Sequence, residues 1–178
     1  MAKVLKFGGS SVATPENIRR VISIVEQSAD NKFVVVSALG GVTDQLLKAV
    51  TQAAAGDEGY KAELAVAEQR HLDAVRALLK PQRQGRALSE IKFMLNELED
   101  YLQSIMRLRE FTPKLQDYVL SFGERMSAFL LSEAIEGSVL VDSRSLIKTD
   151  STFGKASVDF EATNALCREA LLKVPGRA

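Results

Sequence analysis

Lys3-Val4-Leu5-Lys6-Phe7-Gly8-Gly9-Ser10-Ser11, with Thr14-Pro15-Glu16 and then Phe33-Val34-Val35-Val36 behind it, is the stretch that decides the fold. Lys3 to Phe7 reads as a short apolar strand, and Gly8-Gly9 breaks it at once. Thr14 then stands as an N-cap with Pro15 in the first helical position. Ile18, Val21, Ile22 and Val25 recur at helical spacing, so the helix is amphipathic. Phe33 to Val36 is a continuous apolar run, which predicts a strand buried on both faces of a parallel sheet. Together they make one β–α–β unit.

Outward from that unit, Gly40-Gly41 ends the second strand, and helix begins near Asp44. Residues 45–110 are almost wholly helical in composition, interrupted at Gly56-Asp57-Glu58-Gly59 and again between Pro81 and Gly85. Thr112-Pro113 caps another helix start, and residues 118–135 continue as a long helix carrying Gly123-Glu124 inside it. Val139-Leu140-Val141-Asp142 reads as a third strand and Ile147-Lys148-Thr149 as a weaker fourth. Residues 159–173 form a final helix with Ala162, Ala165, Leu166 and Ala170 facing inward. The fold class is therefore α/β with a mostly parallel sheet and a long helical excursion. Val174 stands where a further strand would begin and Ala178 is the last residue, so the pattern reads as a truncated domain.

The composition narrows the function. Lys+Arg and Asp+Glu both number 23, so the net charge is zero and gives no global electrostatic case for nucleic acid or an anionic membrane. Cys167 is the single cysteine, which rules out an intrachain disulfide and fits a reducing, cytoplasmic location. No apolar run is long enough to span a bilayer. There is no internal repeat.

Four pieces carry chemistry. Lys6-Phe7-Gly8-Gly9-Ser10-Ser11 joins a strand to a helix through glycines, which let backbone N–H groups approach a phosphate while Lys6 supplies a full charge. It is neither a P-loop nor a dinucleotide fingerprint, and an ordinary tight turn would use the same glycines. Ser37-Ala38-Leu39-Gly40-Gly41-Val42-Thr43-Asp44 repeats the strand–glycine–helix arrangement. Loops at the carboxyl ends of neighbouring strands face one ligand crevice, although Thr43 or Asp44 would equally serve as a helix cap. Gly123 is costly inside a helix and hints at a close backbone approach, and Glu124 beside it suits an ammonium group or plain solvation. Asp142-Ser143-Arg144 and Phe153-Gly154-Lys155-Ala156 are polar strand-end loops without individually legible roles. His71, among helical residues, reads as a surface or packing histidine.

Taken in order, these pieces resemble the aspartokinase family. Lys6-Phe7-Gly8-Gly9-Ser10-Ser11-Val12 is similar to its first signature, and Val35-Val36-Ser37-Ala38 with Thr43 to its second strand and loop. Leu120-Ser121-Phe122-Gly123-Glu124-Arg125-Met126-Ser127 resembles its Gly-Glu segment, and the two later loops resemble its closing motifs. The resemblance implies an amino-acid-kinase fold, a three-layer α/β/α sandwich. It implies that Lys6 is the catalytic, phosphate-binding lysine, with Gly8, Gly9 and Ser10 at the transferred phosphoryl of ATP. It implies that Ser37, Thr43 and Glu124 bind L-aspartate, Glu124 facing the substrate ammonium.

The reaction so implied moves the ATP γ-phosphoryl, with Mg²⁺, onto the aspartate β-carboxylate in biosynthesis of aspartate-family amino acids. A carboxylate nucleophile with a pKa near ~4 is already ionised at neutral pH, so no general base is required. The site has to align two anions and neutralise charge on the phosphoryl. The family's later Gly-Arg-Gly-Gly-Ser-Asp segment, nucleotide-binding part and regulatory domains have no counterpart in the 178 residues. Residues 1–178 are thus expected to be the N-terminal part of a catalytic domain with little or no activity alone, from a homo-oligomeric longer enzyme. The N-terminus also resembles bifunctional aspartokinase–homoserine dehydrogenases. The rival readings are a glutamate, acetylglutamate or uridylate kinase on the same fold, and a non-catalytic assembly module.

Overall fold

The computed structural model describes residues 3–28 and 32–173. Val174, the expected start of a further strand, lies outside them.

β1 (Lys3–Phe7) and β2 (Lys32–Val36) pair in parallel, with Lys6 opposite Val35 and Phe7 opposite Val36. Helix α1 (Pro15–Gln27) crosses between them. Its start is as the sequence predicts: the Thr14 hydroxyl oxygen accepts a hydrogen bond from Asn17 N–H at 3.3 Å, with Pro15 following. Ile18, Val21 and Val25 are buried.

Partners across a parallel ladder share a face. Leu5, Phe7, Val34 and Val36 pack onto the core. The opposite face is open, with Val4 70% and Val35 50% exposed. The expectation that β2 is buried on both faces is thereby corrected. One face carries the helical layer, and among the described residues no layer covers the other.

Four helices make the excursion: α2 (Val42–Ala55), α3 (Tyr60–Leu78), α4 (Pro81–Leu108) and α5 (Pro113–Ala134). Each of α3, α4 and α5 packs on α2. Leu46, Val50, Tyr60, Val75, Ile91, Leu98, Leu102, Phe122, Met126 and Leu130 are buried between them. Thr112 caps α5 by accepting from Leu115 N–H at 3.2 Å. The break expected between Pro81 and Gly85 falls earlier, at Leu79 and Lys80. Pro81 opens α4 and Gly85 lies inside it.

The chain beyond α5 departs further from expectation. Val139-Leu140-Val141-Asp142 is exposed and forms no strand: it joins neither edge of the two-stranded sheet. An apolar run without a neighbouring ladder leaves its backbone groups to water. Ile147-Lys148-Thr149 contributes only an isolated antiparallel bridge, Thr149 to Val158. The last helix, α6 (Phe160–Lys173), starts where predicted, Asp159 accepting from Ala162 N–H at 3.0 Å. Its inward residue is Thr163, whose hydroxyl oxygen accepts from Lys148 N–H at 2.9 Å, while Ala165 is exposed.

Candidate functional site

Lys6 is the last but one residue of β1 and lies on the open face of the sheet. Its chain turns so that a Cβ added at Gly8 would sit 3.5 Å from Lys6 Nζ. Gly8 has ordinary extended dihedrals, so its small size matters for the space beside the ammonium. Residues Gly9–Val12 then form a short 3₁₀ turn, with Ser11 N–H bonded to the Gly8 carbonyl at 2.9 Å. The N–H groups of Gly9 and Ser10 open that turn and have no partner within it. Ser10 is exposed, and its carbonyl accepts from Asn17 Nδ2 at 3.0 Å.

The second loop interlocks with the first. A Cβ on Gly9 would lie 3.4 Å from the Ala38 carbonyl oxygen, and one on Gly40 would lie 2.7 Å from Ala13 Cβ and 3.0 Å from the Gly9 carbonyl oxygen. The tight-turn explanation thus accounts for Gly9 and Gly40. It does not account for the ammonium at Gly8. Ser37 continues the ladder, donating from N–H to the Phe7 carbonyl at 3.1 Å. Gly41, at φ +81°, occupies the N-cap of α2, and no side chain caps that helix. The capping explanation for Thr43 and Asp44 is therefore removed. Thr43 stands exposed in the first turn, its hydroxyl free of that role.

Helix α5 closes the third side. A Cβ on Gly123 would lie 2.8 Å from Ala38 Cβ and 3.5 Å from Val42 Cγ1. The missing side chain lets α5 press directly on the second loop. Glu124 is exposed, and its Oε1 accepts a hydrogen bond from Ala38 N–H at 3.2 Å. Arg125 turns away to Glu97 at 3.2 Å and stacks over the Phe122 ring at 4.1 Å, so it does not pair with the neighbouring Glu124. The fold thus gathers Lys6, Gly8, Gly9 and Ser10 on one loop against Ser37 and Thr43 on the next, with Glu124 clasping the second loop. One ammonium and open N–H groups suit an anion, and an exposed carboxylate bonded to the loop that carries Ser37 and Thr43 suits an ammonium.

Arg70 went unread in the sequence. From α3 its Nη2 donates to the Ala13 carbonyl at 3.3 Å, and its Nη1 lies 3.2 Å from the position a Cβ on Gly41 would take, so it bridges both loops. A basic residue in an Ala- and Glu-rich helix gives no signal of this kind. Two pockets of about 300 and 290 Å³ flank the loops on the α1 side, lined partly by Arg70 and by Ser10. Lys6, Ser37, Thr43 and Glu124 line neither.

Other candidates separate from this cluster. Asp142 holds Arg144 through bonds as short as 2.6 Å, and that guanidinium lowers the Asp142 pKa. The Phe153-Gly154 turn is tied to α5 through Asp117, which accepts from Gly154 N–H at 2.7 Å. His71 is fully buried, its Nδ1 2.7 Å from the Ala67 carbonyl oxygen, and burial pushes its pKa down to about 4. It is a packing histidine. Among the described residues, no group of three or more His, Cys, Asp or Glu side chains is placed to hold a metal, and no helix is long and apolar enough to cross a membrane.

Comparison with known proteins places the chain as a whole. The chain is 34% identical over 139 residues to the chloroplastic bifunctional aspartokinase/homoserine dehydrogenase 2 of Zea mays, a match covering 78% of the chain and 15% of that protein. It is 32% identical over 182 residues to lysine-sensitive aspartokinase 3 of Escherichia coli, covering 95% of the chain and 37% of that protein. The crystal structure of E. coli aspartokinase III with aspartate and ADP superposes with a TM-score of 0.85 at 28% identity, over 97% of this chain and 38% of that one. The chain thus spans well under half the length of the relatives it matches. The α/β fold with its short parallel sheet is the amino-acid-kinase fold. The model of the amino acid kinase family matches residues 1–175, and the chain belongs to that family.

Proposed function

We propose that these residues are the N-terminal part of an aspartate kinase catalytic domain, transferring the ATP γ-phosphoryl to the β-carboxylate of L-aspartate. The observation that carries this reading is the Glu124 clasp on Ala38 N–H, which sets a carboxylate against the loop bearing Ser37 and Thr43. In this reading Glu124 takes the substrate ammonium, and Ser37 and Thr43 offer hydroxyls to the bound amino acid. Lys6 and the N–H groups of Gly9 and Ser10 face the anionic phosphoryl as charge develops on it. The carboxylate oxygen attacks the γ-phosphorus, ADP leaves, and an acyl phosphate results. No general base is required, because the carboxylate nucleophile is already ionised at neutral pH. His71, buried and neutral, stays outside the chemistry.

The donors at the glycine loop are one ammonium and backbone N–H groups, which fit phosphate oxygens rather than a bare cation. Mg²⁺ would therefore be carried to the site on the nucleotide. The names of the relatives support aspartate as acceptor and biosynthesis as the setting, and support both monofunctional and bifunctional parents. The plant protein's name places that relative in the chloroplast. We assign this chain to the cytoplasm, as part of a longer homo-oligomeric enzyme.

The test is an acceptor screen. A protein containing this chain within a complete kinase domain should release ADP with L-aspartate, and Lys6→Ala should remove most of that release. Turnover with glutamate, acetylglutamate or UMP in place of aspartate would move the assignment within the family. Full turnover after Lys6→Ala would favour a non-catalytic scaffold. The 178 residues alone should show little or no aspartate-dependent ADP release, and ready release by the pure chain contradicts that.

A further inference from the structure

The Asp117–Gly154 bond joins residues 37 positions apart. The turn at residues 151–155 is otherwise exposed and internally bonded, Lys155 N–H to the Thr152 carbonyl at 3.1 Å. Gly154, at φ +82°, directs its N–H to the Asp117 carboxylate at 2.7 Å, a short charge-assisted bond. A second contact comes from the same helix: Lys114 Nζ lies 5.7 Å from the centre of the Phe153 ring. Asp117 and Glu124 are seven residues apart on α5, which places them on one helix face, about 10 Å apart along the axis. The helix that carries the Glu124 clasp therefore holds a distant turn on the same side, two turns away.

We propose that Asp117 is a positioning residue that latches the turn at residues 151–155 onto the Glu124 face of α5, making it an outer wall of the amino-acid site. The proposal rests on the reading of Glu124 as the substrate-ammonium contact. Asp117 itself touches neither substrate nor nucleotide in this role. It acts by holding the Gly154 backbone, so an acceptor of the same shape should largely replace it. Phe153, 41% exposed, sets its ring against Lys114 and gives the turn a second hold on α5.

The experiment is amide hydrogen exchange by NMR on the labelled chain, with L-aspartate as the probe, for wild type, Asp117→Ala and Asp117→Asn. Asp117→Ala should speed Gly154 exchange about tenfold or more, while the Leu46 and Ala49 amides in α2 keep wild-type protection, which separates an open turn from an unfolded chain. Asp117→Asn, still an acceptor, should fall between the two. L-aspartate should slow Gly154 exchange in wild type, and its Kd should rise about tenfold in Asp117→Ala and less in Asp117→Asn. Unchanged Gly154 exchange in Asp117→Ala overturns the latch. Equal L-aspartate Kd in wild type and Asp117→Ala overturns its place in the site. No L-aspartate binding by wild type overturns the site reading beneath it, and the exchange rates then decide the latch alone.

Discussion

At Gly123, inside α5, a Cβ would lie 2.8 Å from Ala38 Cβ; at Gly85, near the start of α4, it would meet nothing within 4 Å. Each glycine costs its helix about 1 kcal/mol relative to alanine. In α5 that cost is offset by a close approach to the second loop, which brings Glu124 within reach of Ala38 N–H. In α4 nothing visible offsets it. The same residue in the same kind of element is a site-building feature in one region and a bare weakness in the other.

The largest effect expected lies in the packed helical region, at His71. Burial holds its pKa at about 4 in the fold against 6.5 in a free chain. The unfolded chain therefore binds the proton first as pH falls. Stability is fully present above pH 6.5 and declines as pH drops towards 4, by up to about 3 kcal/mol. Urea unfolding at several pH values should show this decline, and His71→Gln should flatten it. An equally steep decline in His71→Gln would mean the interior around α3 is wetter than the packing indicates.

Gly123→Ala comes next. The added methyl must push Ala38 or α5 aside, at about 1–3 kcal/mol, and should weaken L-aspartate binding along with stability. An alanine accepted at no cost to either would erase the contrast. Gly85→Ala should act in the opposite direction, raising stability by roughly 0.5–1 kcal/mol in the same unfolding assay. Loss of stability there would show that the open space around Gly85 is misread. The smallest effect belongs to Arg144→Ala. Its ion pair with Asp142 is about half exposed, 48% for each side chain, and solvent screening limits the change to under about 1 kcal/mol.

Much of the first half of the fold is legible because its signals are local. Thr14-Pro15 and Thr112-Pro113 cap helices through residues three positions away, and an apolar run beside a glycine break marks β2. Val139-Leu140-Val141 carries an equally apolar signal but is exposed and unpaired, since a strand exists only where a neighbour supplies the ladder. The open face of β2 fails for the same reason: continuous apolarity records what a strand tolerates, not what covers it. Motifs placed Lys6, Ser37, Thr43 and Glu124 in the sequence, but the bond that ties Glu124 to the second loop spans 86 residues, from Ala38 to Glu124. Arg70 and Asp117 bridge elements from helical runs of ordinary composition, so no periodicity or spacing could single them out.

In this reading two glycine loops and Glu124 form one amino-acid and phosphate site. Chemical-shift mapping of the labelled chain with L-aspartate tests it most directly. L-aspartate should shift the Ser37, Ala38, Thr43 and Glu124 amides, and those shifts should vanish in Glu124→Ala while Lys6→Ala leaves them in place. Shifts that survive Glu124→Ala, or that fall on residues away from the second loop and α5, would contradict it.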